Sequence, residues 1–215
     1  MSSERPRRGL MLVLSSPSGV GKTSLSRRLV ADHHDLDLSI SMTTRAPRPG
    51  EHHGREYFFV TDTDFDAEIA SGGFLEWAEV HRHHRSGTPR AAVMAALSAG
   101  RDVMFDVDWQ GARALAAAAP EDTVRVFILP PSMAEMVRRI RARAGDSEAM
   151  ILRRLETARE EFTKWGEYDY VIVNDDFDLA YAELAHIYHA ERLRRERNPW
   201  LKDFVEGLQS QSVDG

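Results

Sequence analysis

Hydrophobic positions recur along this chain at two periods, and together they outline alternating strands and helices. Residues 10–14 are an unbroken apolar run, as expected of a strand buried on both faces in a parallel sheet. A loop with Gly19 and Gly21 follows, and then Leu25, Leu29 and Val30 fall at helical spacing. That spacing predicts a helix opening at Lys22-Thr23 and ending near residues 33–35. Residues 38–41 read as a short second strand, and residues 43–55, rich in Arg, Pro, Gly and His, as a loop without periodicity. Residues 57–60 form a strand candidate. Asp62 or Asp64 then caps a short helix that stops at Gly72-Gly73. Residues 74–80 are a further strand, whose alternation leaves Glu76 between Leu75 and Trp77. Thr88-Pro89 supplies an N-cap and first-turn pair for a helix over 91–99, closed by Gly100.

The second half repeats the rhythm. Residues 103–107 are a buried strand carrying Asp106, followed by a helix from Ala112 that Pro120 stops. Residues 124–129 are another buried strand. Ser132-Met-Ala-Glu135 is a capping box starting a helix with Met136, Val137 and Ile140 on one face, and a second helix to about Trp165 completes a hairpin. Residues 170–173 are the last strand and 179–197 the last long helix; the tail after Gly207 reads as disordered. Strands alternating with helices predict an α/β fold with a parallel sheet. Residues 42–98 break the rhythm and predict an inserted lobe with its own small sheet.

Strand, Gly-bearing loop, Gly-Lys-Thr and helix make a P-loop. Its backbone N–H groups and helix N-terminus cradle phosphates, Lys22 adds a point charge, and Thr23 can hold Mg²⁺. The consensus opens with Gly where this chain has Ser16, so Ser16 must take an ordinary backbone conformation or a tolerated strained one. Composition narrows the picture further. With 215 residues, 42% hydrophobic and 29% charged, the chain is one soluble globular domain by size and content. A net charge of −6 argues weakly against general nucleic-acid binding. The absence of cysteine excludes disulfides, thiolate metal sites and a cysteine nucleophile. The basic start (Arg5, Arg7, Arg8) precedes an apolar run too short for a signal peptide or a membrane span, and a cytoplasmic protein with no membrane partner is expected.

Other residues carry chemistry by type and spacing. Arg45 and Arg48, three apart in a Pro-braced loop, can converge on one anion; a solvated basic loop is the plain alternative. Glu76 on an apolar strand is costly unless a donor meets it, or else it faces outward. Asp106 and Asp108 lie at the carboxyl end of a buried strand, where open α/β sheets bind ligands, and their offset gives them different partners. Arg138, Arg139, Arg141, Arg143, Arg153 and Arg154 crowd the helical hairpin. The run His81, His83, His84 is read as surface in preference to a metal site.

Ordered along the chain are Ser16-Pro-Ser-Gly-Val-Gly-Lys-Thr23, Ser41-Met-Thr-Thr-Arg-Ala-Pro-Arg-Pro-Gly-Glu51, Gly54-Arg-Glu-Tyr57, Phe74-Leu-Glu-Trp-Ala-Glu79, Asp106-Val-Asp-Trp-Gln-Gly111 and Val171-Ile-Val-Asn-Asp-Asp176. In this order and spacing the chain resembles the guanylate kinases, P-loop nucleoside-monophosphate kinases, from Leu10 to about Ala190. The resemblance implies a P-loop parallel sheet flanked by helices (1–41, 99–132, 158–215), an inserted mixed α/β GMP-binding lobe (42–98) and a helical lid (133–157). It implies Mg²⁺-dependent transfer from ATP to GMP, and to dGMP. It places ATP on Ser16, Pro17, Ser18, Gly19, Val20, Gly21, Lys22, Thr23, Ser24 and Asn174. GMP falls to Ser41, Arg45, Arg48, Tyr57, Glu76, Thr88 and Asp108, the metal to Thr23 and Asp106, and catalysis to Lys22 with the lid arginines Arg139, Arg143 and Arg154. In one place the pattern departs. The family's Gly-Asn-Tyr-Tyr-Gly-Thr is replaced by Arg82-His-His-Arg-Ser-Gly87, one residue longer and without tyrosine, so Arg85 or His84 would have to supply the second tyrosine's phosphate contact. Two alternatives accompany the kinase reading: a catalytically silent guanylate-kinase-like binding module, and a monophosphate kinase of different base choice. Asn174-Asp-Asp-Phe lacks the Lys of the GTPase guanine signature. The segment 191–208 is a dimer contact or a surface helix and turn, and the oligomeric state stays open.

Overall fold

The apolar runs meet in one parallel sheet. The computed structural model describes residues 6–80, 84–142 and 147–211. In chain order its elements begin with β1 (Met11–Ser15), α1 (Lys22–Asp32), β2 (Leu36–Leu38), β3 (Met42–Thr43), β4 (Phe58–Phe59), α2 (Asp62–Ala70), β5 (Phe74–Val80), β6 (His84–Pro89) and α3 (Arg90–Ser98). There follow β7 (Asp102–Asp106), α4 (Trp109–Ala118), β8 (Thr123–Leu129), α5 (Met133–Ala142), α6 (Glu148–Phe162), β9 (Tyr170–Val173), α7 (Phe177–Arg192) and α8 (Trp200–Gln209).

The main sheet has the order β2-β7-β1-β8-β9, and every pairing in it is parallel. Central β1 is buried throughout, which is why its sequence shows no polar alternation. Leu10, Leu12 and Leu14 point to Leu25 and Leu29 of α1 and to Leu184 and Tyr188 of α7. Met11 and Val13 point the other way, to Val93 and Leu97 of α3 and Leu115 of α4. Each such side chain contributes about 1.5–3 kcal/mol by leaving water. Helices on both faces thus lock β1, and with it the loop that leaves its carboxyl end.

A second, mixed sheet has the order β4-β3-β6-β5. β3 runs parallel to β4, and the other pairs are antiparallel. Phe65 of α2 is buried, its ring 4.5 Å from that of Phe74. α5 and α6 pack through Met136, Ile140, Ile151 and Ala158.

Several local expectations are corrected. The second strand of the main sheet is Leu36–Leu38, ahead of residues 38–41; it is an edge strand, and its few residues pair only with β7. α2 is capped by Thr61 in a full capping box with Asp64. α3 begins after Pro89 with no side-chain cap, because Thr88 belongs to β6 and spends its hydroxyl elsewhere. α4 starts at Trp109, capped by Asp108 through the Gly111 N–H. At Ser132 only half of the predicted box forms: its hydroxyl accepts the Glu135 N–H at 3.1 Å, while the Glu135 side chain turns to arginines. The last long helix is Phe177–Arg192, and a separate α8 extends to Gln209 where disorder is predicted after Gly207. Among the described residues no helix is long and apolar enough to cross a membrane.

Candidate active site

The phosphate loop joins the buried end of β1 to the first turn of α1. Its positive φ angles fall on Gly19 (86°) and Gly21 (101°), a conformation that L side chains rarely adopt. A Cβ on Gly21 would also stand 2.5 Å from Asn174 Nδ2. Lys22 Nζ lies 2.5 Å from Asp106 Oδ1 and donates to the Val107 carbonyl at 2.9 Å. Thr23 donates its hydroxyl to Asp106 Oδ2 at 3.0 Å. Ser16, whose hydroxyl donates to the Pro17 carbonyl, Pro17, Ser18, Val20 and both glycines line a cavity of about 310 Å³ with Lys22, Thr23 and Asp106. Glu161 of α6 completes its wall. Burial, and then the charge of Asp108, push the Glu161 carboxyl up to about 7 despite the opposing pull of Lys22.

A second cavity of about 350 Å³ adjoins the loop, lined by Ser24, Arg138, Arg139, Asn174, Asp175 and Phe177 among others. Asn174 is buried; its amide donates to the Val20 carbonyl at 2.6 Å, and its Oδ1 has no partner. Arg139 donates to the Asn174 carbonyl at 3.0 Å and to Glu135 at 2.7 Å. Arg138 grips the same carboxylate, and the two arginines hold Glu135 down to about 2. Arg154 reaches the loop directly, donating to the Ser18 hydroxyl at 3.2 Å. Arg143 lies outside the described residues, as do His81 and His83.

In the second sheet, Arg45 and Glu51 form a two-bond ion pair at 2.9 and 3.0 Å, with the Tyr57 ring 5.2 Å from the guanidinium. Arg48 is exposed, and its backbone N–H donates to Glu51 at 2.7 Å. Glu76 does not face outward: it is partly buried and accepts the Thr88 hydroxyl at 2.6 Å, across the β5–β6 register that pairs the two residues. Burial pushes its carboxyl above the usual range; Thr88 opposes the shift and Asp108 adds to it. Ser41, half-buried, precedes β3. Asp106 and Asp108 have different partners, but not because of their offset, since two residues apart on one strand they would share a face. β7 ends at Asp106, which meets Lys22 and Thr23, and Asp108 caps α4. Arg85 is committed to Asp62 and Asp66 of α2, which draws its guanidinium away from the role considered for it; His84 is half-buried in β6.

The guanylate kinase family model matches residues 8–191. The chain belongs to the guanylate kinase family. It is 57% identical over 211 residues to a guanylate kinase of Caulobacter vibrioides, covering 98% of this chain and 99% of that one. It is 54% identical over 205 residues to a guanylate kinase of Maricaulis maris, covering 95% and 94%. The crystal structure of the guanylate kinase from Anaplasma phagocytophilum superimposes with a TM-score of 0.74 at 32% identity, covering 96% of this chain and 98% of that chain. Three carboxylates border the cationic groups of the site: Glu51 beside Arg45, Glu135 beside Arg138 and Arg139, and Glu161 beside Lys22. The sequence gives Glu135 a capping role only, and Glu51 and Glu161 no role of their own. Glu51, three residues beyond Arg48, and Glu135, three and four residues before Arg138 and Arg139, are near their arginines in sequence; Glu161 and Lys22 are not near each other.

Proposed function

We propose that the chain transfers the γ-phosphoryl group of ATP to GMP, or dGMP, giving ADP and GDP. ATP lies on the P-loop and GMP in a lobe formed by residues 42–98, with residues 133–157 as a lid and the remainder as the core. The observation that carries the base assignment is Glu76, desolvated on β5 beside the Thr88 hydroxyl. Guanine presents two parallel donors, N1–H and the 2-amino group, that match a carboxylate; adenine presents a lone pair at N1. Bound guanine would favour the ionised carboxylate that burial disfavours, so recognition and charge state support each other.

The phosphate of GMP would sit against Arg45, Arg48 and Tyr57, with Ser41, Thr88 and Asp108 around the nucleoside. A phosphate oxygen of GMP attacks the γ-phosphorus in line, the bond to the β–γ bridging oxygen breaks, and ADP leaves with that electron pair. Lys22 exchanges Asp106 for phosphate oxygens. Arg139, Arg143 and Arg154 meet the charge spread over the transferring group, so positioning and charge stabilisation carry the rate. Thr23 and Asp106 offer hard oxygens 3.0 Å apart, which suits Mg²⁺, an ion commonly held by one or two protein groups plus substrate phosphates and water. When held there, Mg²⁺ would supply positive charge against the negative charge of the transferring phosphates. Asn174 and the 350 Å³ cavity suit the adenine of the donor. A cytoplasmic setting belongs to the same reading.

The test is ADP release with GMP, dGMP, AMP, UMP and dTMP, for the native chain and Glu76→Gln. Sites built on such polar matches reject analogues lacking the partner by roughly 10⁴–10⁵. Glu76→Gln should lose most kcat/KM for GMP and little for AMP, with ATP affinity and melting temperature nearly unchanged. An unchanged GMP/AMP preference would remove Glu76 from base recognition, and no turnover with any acceptor would leave a silent binding module.

A further inference from the structure

Glu51 takes the end of the Arg45 guanidinium and does not use its side edge; the Tyr57 side chain also interacts with this guanidinium. A guanidinium carries five N–H donors in one plane. In Arg45, Nη1 donates to the Ala46 carbonyl at 2.8 Å and to Glu51 Oε2 at 2.9 Å, and Nη2 donates to Glu51 Oε1 at 3.0 Å. These bonds use the end of the fork and one outer corner. The Nε–H and the second Nη2–H, parallel to each other along the side of the plane, are used by neither Glu51 nor Ala46. That pair is by itself a two-bond site for two oxygens of one phosphate. The plane is braced by the rings of Tyr57 and Phe59, 5.2 and 5.7 Å from it. Glu51 Oε2 also accepts the Arg48 N–H at 2.7 Å, so one carboxylate ties both arginines of the loop together. The Arg45 and Glu51 side chains are each only 17% exposed.

We infer that Glu51 is a positioning residue for the acceptor: it holds Arg45 by its end so that the side edge meets the phosphate of the nucleoside monophosphate. The inference rests on reading Arg45 as a ligand of that phosphate. A carboxylate this close also subtracts positive charge from the site. Positioning outweighs the subtraction because Glu51 and phosphate use different hydrogens of the guanidinium. An arginine ordered in advance also loses less rotamer freedom on binding. A nucleoside without a phosphate gains nothing from the arrangement.

Calorimetric binding of GMP and of guanosine to the full chain separates these effects, using Glu51→Gln, Arg45→Ala and the double variant. Glu51→Gln should weaken GMP about tenfold, as expected for loss of a bond to a charged group, and leave guanosine binding and the KM for ATP unchanged. In steady state the KM for GMP should rise more than kcat falls. On the Arg45→Ala background the same change should cost less than about twofold, since coupled residues do not add. If Glu51→Gln does not fold, Glu51→Asp, one methylene shorter, is read by the same measurements. GMP binding as tight as native or tighter, or an equal loss of guanosine, overturns the inference. If Arg45→Ala itself binds GMP like the native chain, the acceptor-loop reading falls and this inference falls with it. If Arg45→Ala weakens GMP and Glu51→Gln does not, only the role of Glu51 is refuted.

Discussion

Glu161 is a carboxyl group that folding makes harder to ionise. Its wall of the phosphate cavity is partly dry, Asp108 repels its charge, and Lys22 compensates only in part, so it titrates at about 7 against an ordinary 4.5. Between those values the folded chain binds more protons at this position than the unfolded chain does. Stability therefore falls as pH rises through that window, and the whole penalty is present above it. Glu161→Gln removes the titration and keeps the shape. The variant should melt a few degrees higher than the native chain at pH 8, a modest gain because the group is partly solvated. The gain should shrink through pH 6 and vanish near pH 4.5. Scanning calorimetry at those three values checks it; an equal shift at every pH would mean that packing, and not charge, separates the two proteins.

At the scale of elements, what could be read from the sequence was local. β1 and α1 were readable because an apolar run, two glycines and Gly-Lys-Thr are contiguous, and helices cover both sheet faces. β2 was misplaced because its three residues sit at an edge, with Leu38 49% exposed, and carry no apolar run. The start of α3 was misread because Thr88 has a cap's chemistry but donates to Glu76 instead. Glu161 gave no signal, since Lys22 and Asp108 reach it only through the fold. Glu135 was legible as the end of the Ser132 box, and its pairing with Arg138 and Arg139 left that half of the box unformed. The basic start was the largest omission. Arg7 donates to the fully buried Asp102 at 2.8 and 2.6 Å, and the same carboxylate accepts the Leu10 N–H and the Tyr188 hydroxyl. This staple binds the chain before β1 to β7 and α7. Arg7→Ala should lower unfolding free energy by about 3 kcal/mol, the lower end for breaking a buried pair, because Arg192 stands 3.6 Å from Asp102 and remains. Urea unfolding is the measurement, and a loss within the scatter of surface substitutions would show the staple to be dispensable.

The two sheets meet through a small part of the molecule. Leu75 of β5 packs in the core cluster with Val93 and Leu97 of α3 and Leu115 of α4, which anchors the second sheet on those two helices. Beside the connection between β2 and β3 lies an apolar cavity of about 320 Å³, lined by Leu38, Ile40, Phe58, Pro89, Ala92 and Val93 among others. Closely packed interiors shift between discrete arrangements, and a void beside a connection leaves room for one sheet to turn against the other. Phosphoryl transfer supplies the reason for such a turn, since the acceptor oxygen must lie in line with the γ-phosphorus and water must be kept out. On the proposed function, neither substrate alone would bring the acceptor-loop and lid arginines onto shared charge. Closure should therefore be small with GMP or with a non-hydrolysable ATP analogue alone, and large with both. A compact chain of this length has a radius of gyration of roughly 17 Å, and small-angle scattering should show it fall by on the order of 1 Å in the ternary complex. An unchanged radius with both ligands bound would mean that the sheets are already set for the reaction and that the cavity beside β2 has no part in it.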